Sequence, residues 1–472
     1  MMVYCLMNMP CRSFPARRVV LNAFVCNVAM PKIVGLVLIA LAALGCSSVP
    51  SRITRLAPLP VVEPVTTMTV PYPILLLHGL GQKADAWHGN ATRYYLNDLG
   101  MRDGGLLHVD RDGKIVSSET GRNDGDLYVM QFRSPHDSIN AWRDELDAAI
   151  TYVRAQTGAD RVILVGYSMG GLAARAYLTK RYTDHHVKRL ITIGTPHLGS
   201  VYAKVWNWKT QMEDCVAGGN IIAAPLCKAA LAAIQGSEGN VPYDAPAVRD
   251  LRRPEDGGVY LRKLGKYAHP LDVEYVSVIG DVDVSTELQH LSEAALQEIV
   301  RKALTMLSGD VGELFEGGDG VVSRKSQDIM NIEYFTADPS RKRATRTIEV
   351  GSVHMDHLQT STEIQRISLD EKTELKGAGM YRLGDSAAIA ITYADHIPAR
   401  CTVQVRVLRN EQLVHESTLS AAFSQLIRTA DGIVSRMVFP LPSSLFQHED
   451  DLRATFTITN AWGYAVKSGV EM

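Results

Sequence analysis

The stretch Gly166-Tyr167-Ser168-Met169-Gly170-Gly171 most narrows what this chain can become. It follows the apolar run Arg161-Val162-Ile163-Leu164-Val165 and leads at once into residues 172–182, which are helical by composition. A G-x-S-x-G pentapeptide between a strand and a helix puts Ser168 on a sharp turn that exposes its hydroxyl. Side chains at Gly166 and Gly170 would collide with neighbouring backbone there. The helix N-terminus behind Ser168 offers partial positive charge to an oxyanion forming in front of it.

The surrounding pattern sets the fold class. Ile74-Leu75-Leu76-Leu77, Leu127-Tyr128-Val129-Met130, residues 186–193 and residues 273–279 are further short apolar runs. Between two of them Ile139, Trp142, Leu146, Ile150 and Val153 recur at helical spacing, and Gly158 ends the helix. Strands alternating with helices predict an α/β fold with a doubly wound, mostly parallel sheet. Residues 106–109 and 114–116 read as a hairpin, for which Asp112-Gly113 suits a type I′ turn. Past residue 375 the period changes to two: Cys401, Val403, Val405 and Val407 alternate with polar residues, as do Leu452, Ala454, Phe456 and Ile458. That predicts a small β-sandwich-like domain over 375–472.

An oxyanion site needs two backbone donors aimed at one point. The N–H of Met169, just after the nucleophile, is one. The loop His78-Gly79-Leu80-Gly81 after the first strand supplies the other, expected at Leu80, with His78 itself structural.

Residues 71–374 resemble the α/β-hydrolase superfamily, in its bacterial lipase and esterase branch. The His78-Gly79 loop, the Gly166–Gly170 turn and Gly194-Thr195-Pro196-His197-Leu198-Gly199-Ser200 carry the resemblance. It implies a Ser-Asp-His triad, with the residues in that order along the chain, and a lid or cap over 200–269. In that branch the His of the last motif is not the base, so His197 is not assigned to catalysis. Gly317-Gly318-Asp319-Gly320 resembles the family's acid loop, which makes Asp319 the expected acid, with Asp281 and Asp283 as alternatives. In Val353-His354-Met355-Asp356-His357-Leu358 the His-Leu pair before a helical stretch matches the family pattern. His357 is therefore the expected base and His354 the alternative. Calcium-dependent relatives carry an Asp two residues past the base, where this chain has Gln359, so no metal is expected. No G-x-G-x-x-G follows a strand and there is no Walker loop, so no cofactor is expected either. The resemblance implies a lipase or carboxylesterase acting on acyl esters or lipids through an acyl-enzyme. An acyltransferase with the same triad, or an inactive envelope adaptor, are the alternatives.

Residues 1–46 read as an address. Ile33–Gly45 is a 13-residue apolar run after Lys32, too short to span a bilayer as a helix. Residues 1–45 carry Arg12, Arg17, Arg18 and Lys32 and no acid. Met30 would make a more economical start. Leu41-Ala42-Ala43-Leu44-Gly45-Cys46 resembles a bacterial lipobox, which implies lipidation of Cys46 and a membrane anchor. Ser47 after the Cys points to an outer-membrane lipoprotein facing periplasm or exterior. Residues 47–70, with Pro50, Pro58, Pro60 and Pro64, read as an extended tether. In an oxidising compartment Cys215 and Cys227 could clip one loop, or remain two buried thiols, while Cys401 reads as core. The net charge of −2 gives no basic footprint for nucleic acid. Arg341-Lys342-Arg343 with Arg346 reads as a solvated loop. The C-terminal β domain is left with an unidentified partner.

Overall fold

The computed structural model divides into Met1–Pro50 and a compact unit, Ser51–Met472. It describes residues 51–118, 121–200, 203, 241–242, 244–281, 318–319, 321–352, 354, 357–358, 362–420, 424–447 and 451–471. Cys46, Cys215, Cys227, Asp283, Gln359 and residues 201–202, 204–240 and 243 of the 200–269 cap lie outside them.

The N-terminal half of this unit is an eight-stranded sheet: β1 (Ile74–Leu77), β2 (Asp103–Val109), β3 (Ile115–Ser117), β4 (Leu127–Gln131), β5 (Val162–Tyr167), β6 (Val187–Ile193), β7 (Glu274–Gly280) and β8 (Thr345–Val350). Their spatial order is β3-β2-β4-β1-β5-β6-β7-β8. All neighbours are parallel except the β2–β3 hairpin. The central strands β1 and β5 are buried along their whole length, as strands covered by helices on both faces must be.

The helix Ile139–Thr157 packs one face on this sheet. Its N-cap Ser138 accepts from the Ala141 N–H, and Gly158 closes it in the left-handed region at φ 76°. Trp142 stacks on Phe132 with centroids 4.1 Å apart, and its indole N–H donates to the Ser134 carbonyl. The hairpin forms where the sequence predicts it, but not through a type I′ turn. Gly113 has positive φ and Asp112 does not. The Asp110 carboxylate instead accepts from the N–H groups of Asp112 and Lys114, which holds a longer loop ending in a left-handed glycine.

The C-terminal half has eight antiparallel strands: β9 (Glu374–Leu383), β10 (Ser386–Ala394), β11 (Thr402–Arg409), β12 (Gln412–Ser420), β13 (Gln425–Thr429), β14 (Gly432–Leu441), β15 (Leu452–Thr459) and β16 (Ala465–Glu471). They form two sheets, β13-β14-β10-β9 and β12-β11-β15-β16. β11 and β15 alternate as their sequences predict, and Cys401 is buried. β10 and β14 do not alternate; both are buried over most of their length.

Residues 56–65 run beside these strands, so the Pro-rich stretch is extended but is not a free tether. Leu59 N–H donates to Arg382 O, Arg382 N–H to Ala57 O, and Val65 N–H to Leu426 O. Arg436 on β14 reaches the Pro60 carbonyl. The prolines cannot donate, so the strap bonds only through the residues between them.

The sandwich meets the floor of the parallel sheet, at the N-terminal ends of its strands. Arg428 pairs with Asp160 before β5, and Arg400 donates to the carbonyls of Leu99 and Asn97 before β2. A charged cluster closes the junction. Arg189 contacts Glu274 and, at 3.4 Å, Glu371; Lys188 also pairs with Glu274, and His396 pairs with Glu371. Burial works to raise the pKa of Glu371, but His396, Arg189 and Lys188 outweigh it and hold it at about 2. A carboxylate depressed on folding gives stability that is present above its unfolded value and lost as pH falls through the folded one. Between pH 4.5 and 2 the wild type should therefore lose stability that a Glu371→Gln variant never had. Thermal melts of both proteins across that range should converge at the acid end.

Candidate active site

Every site residue stands at the C-terminal edge of the parallel sheet, where each strand hands over to a loop. Ser168 follows β5 and caps the helix Met169–Lys180. Its φ of 49° is a conformation few non-glycine residues adopt, as a nucleophile turn demands. Two close approaches make the turn possible. A Cβ on Gly166 would lie 2.5 Å from the Gly171 backbone, and one on Gly170 2.6 Å from the His78 carbonyl. The Ser168 N–H is tied to Ile193 O on β6.

The structure puts His354, not His357, against Ser168. His354 Nε2 is 3.1 Å from Ser168 Oγ, and its Nδ1 is 2.6 Å from Asp319 Oδ2. This corrects the expectation for His357. His354 is the first histidine after β8, four residues past Val350, and the Tyr167 hydroxyl fixes it by donating to its carbonyl. His357 sits behind the acid, with Nε2 3.2 Å from the same Oδ2 and no contact with Ser168 among the described residues. The hydrogen bonds assign the tautomers: His354 carries its proton on Nδ1, leaving Nε2 to accept from Ser168.

Asp319 is the carboxylate that meets this ring. Its Oδ1 accepts from the N–H groups of Val321 and Val322, and its Oδ2 from both imidazoles. Burial works to raise its pKa, but the two histidines hold the carboxyl well below the usual carboxylate range. Asp281 stands apart in an exposed pair with Arg324 at 3.4 Å. Glycine makes room here too: a Cβ on Gly280 would lie 2.6 Å from both Asp319 Cβ and His357 Cε1.

The loop after β1 lies beside the nucleophile, with the Cβ position of Gly79 3.0 Å from Ser168 Cβ. Gly79 N–H donates to Gln82 Oε1 and Gly81 N–H to Pro135 O. Met169 follows Ser168 at the first turn of its helix. His78 faces away: it accepts from Phe132 N–H through Nε2 and donates to Gly79 O through Nδ1, and burial lowers its pKa to about 4. It is a neutral structural residue.

His197 is likewise structural. It is buried between the Arg175 guanidinium and the Thr192 hydroxyl, and burial with the Arg175 charge pushes its pKa well down. Two residues with no pattern signal lock the Asp319 loop in place. Gln327 joins both backbone groups of Gly280 to the Val322 carbonyl, and Ser326 Oγ donates to Gly199 O. A buried glutamine in a short helical turn carries no periodic signal. Asp319, His354 and His357 also form the one group of three metal-type donors noted among the described residues. The hydrogen bonds between them account for that clustering. Arg341 stacks over Tyr334 at 4.2 Å and so is not fully solvated.

Comparison with known proteins agrees with this architecture. Residues 72–214 match the family model for the alpha/beta hydrolase fold. A triacylglycerol lipase of Pseudarthrobacter phenanthrenivorans is 29% identical over 141 residues, 28% of this chain and 35% of that protein. One from Burkholderia plantarii is 29% identical over 141 residues, covering 28% and 31%. A GPI inositol-deacylase of Candida albicans is 25% identical over 117 residues, covering 23% and 30%. The chain spans about a third of the length of each of these three relatives. The sheet order and the family model define an α/β-hydrolase fold followed by an all-β domain.

Proposed function

We propose that this chain is a serine hydrolase of carboxylic esters, working through Ser168, His354 and Asp319. One observation carries the reading: a single imidazole lies within hydrogen-bond reach of both a strained serine hydroxyl and a buried carboxylate. Ser168 Oγ attacks the ester carbonyl carbon while His354 Nε2 takes its proton. The carbonyl π electrons move to oxygen, and the N–H groups of Leu80 and Met169 hold that oxyanion. Asp319 stays ionised and steadies the imidazolium through Nδ1–H. When the tetrahedral centre collapses, the C–O bond to the alcohol breaks and His354 protonates the departing oxygen. Water then adds to the acyl-Ser168 ester, giving its proton to His354, which returns it to Ser168 as the carboxylic acid leaves.

The triacylglycerol lipases among the relatives support lipid-like acyl esters as the substrate class. The leader ending at Cys46 supports a lipid anchor in a bacterial envelope, with Ser47 favouring the outer membrane. Hydrolysis of p-nitrophenyl esters of increasing acyl length by the full chain tests the reading. Turnover is expected, and the length at which it peaks separates esterase from lipase. A folded protein that turns over no member of the series would sink it.

A further inference from the structure

The register of the β domain fixes a direction through the molecule. At one end of that domain Tyr393 pairs with Ser435, close to the β10–β11 connection with His396 and Arg400 and to the β13–β14 turn beside Arg428, all of which meet the floor of the catalytic sheet. At the other end are Ala387 and Leu441, paired six positions along β10 from Tyr393, and the turn Ser443–Phe446 that follows. Arg409 Nη2 donates to Leu445 O there, which places the β11–β12 turn at the same end. The short helix Ser51–Arg55 packs against that Ser443–Phe446 turn, with Ile53 buried. From there the chain travels the length of the sheet. It bonds Arg382 at Leu59, Arg436 at Pro60 and Leu426 at Val65, and reaches the floor where Thr67 Oγ1 donates to Thr157 O.

The start of the described chain thus lies at the end of the sandwich away from the catalytic sheet. The ten residues of β14 put about 30 Å of sandwich between them at about 3.3 Å per residue. Ser168, His354 and Asp319 lie beyond, at the C-terminal edge of the sheet, and the sandwich contacts named above fall at its N-terminal edge. Cys46 precedes Ser51 by five residues, a reach of at most about 18 Å.

We propose that the β domain is a stand. Resting on the lipid-anchored reading of Cys46, it holds the catalytic opening away from the membrane that carries the anchor. The substrate is then an ester delivered through the water phase, not a lipid of the anchoring leaflet. The strap adds no slack to this arrangement: its hydrogen bonds to both edge strands keep residues 56–65 from acting as a further length of leash.

The test uses the full chain with its lipid, reconstituted into phosphatidylcholine vesicles. It is compared with a variant carrying 40 Gly/Ser residues between Pro50 and Ser51, a coil of about 35 Å root-mean-square length. One arm measures a soluble p-nitrophenyl ester. The other measures a fluorogenic ester lipid in the same vesicles, chosen because the protein cleaves it in detergent micelles. Equal rates on the soluble ester, with a tenfold or greater rise on the vesicle lipid for the insert variant, are expected. An insert that leaves the vesicle-lipid rate unchanged overturns the inference. Failure of either protein on the soluble ester overturns the hydrolase reading instead, and failure to float with the vesicles overturns the anchor reading; each takes the inference with it.

Discussion

Replacing His354 with alanine should lower kcat for ester hydrolysis by about 10⁶, the scale on which a serine enzyme suffers when its base is removed. Replacing His357 should cost far less. His357 meets only the acid, through one hydrogen bond at 3.2 Å to an oxygen that His354 already holds at 2.6 Å. A hydrogen bond to a charged group contributes about 1.5–3 kcal/mol. If all of that appeared in the transition state, the His357→Ala loss would be about 10–100-fold. Parallel kinetics on the two variants separate the roles. Equal losses, or a larger loss at His357, would reverse the assignment made from the geometry.

Ser168→Ala should be as damaging, with kcat down by about 10⁶. The loss should be chemical rather than structural. Ser168 already occupies a φ of 49°, and alanine meets the same steric cost there as serine, so the melting temperature should stay close to wild type. The hydroxyl makes one contact to the base, and the backbone N–H that ties the turn to Ile193 O is untouched. A variant that melts normally and retains hydrolysis within a hundredfold of wild type would move the nucleophile elsewhere.

Much of the architecture could be read because its signals are local. Ile74–Leu77 and Val162–Tyr167 are apolar on both faces because both faces are covered, and Ile139–Thr157 shows its buried stripe and both caps. The turn at Ser168 is written as glycines, since backbone packs against backbone there.

That the sequence favours His357 while the structure sets His354 beside Ser168 has a physical source. β8 is an edge strand, Thr345-Arg346-Thr347-Ile348-Glu349-Val350, with no fully buried residue and no apolar run. With that strand unseen, nothing marked His354 as the histidine nearest a strand end, and the His-Leu pair at 357–358 carried the choice. Asp319 was more legible because glycines surround it. Yet its partners Val321, Val322 and Gln327 belong to tertiary packing that spacing does not encode.

The strap over 56–65 was missed for a related reason. A Pro-rich segment reads as extended whether or not a sheet edge lies beside it, and here both edges of one sheet do. The double burial of β10 and β14 was hidden in the same way, since neither sequence announces what covers its second face.

The most direct measurement is labelling of the full chain with a fluorophosphonate, followed by mass spectrometry of the peptides. The account predicts one adduct per chain, on Ser168, abolished in Ser168→Ala and strongly slowed in His354→Ala. A folded protein that takes no adduct, or one whose adduct survives Ser168→Ala, would contradict it.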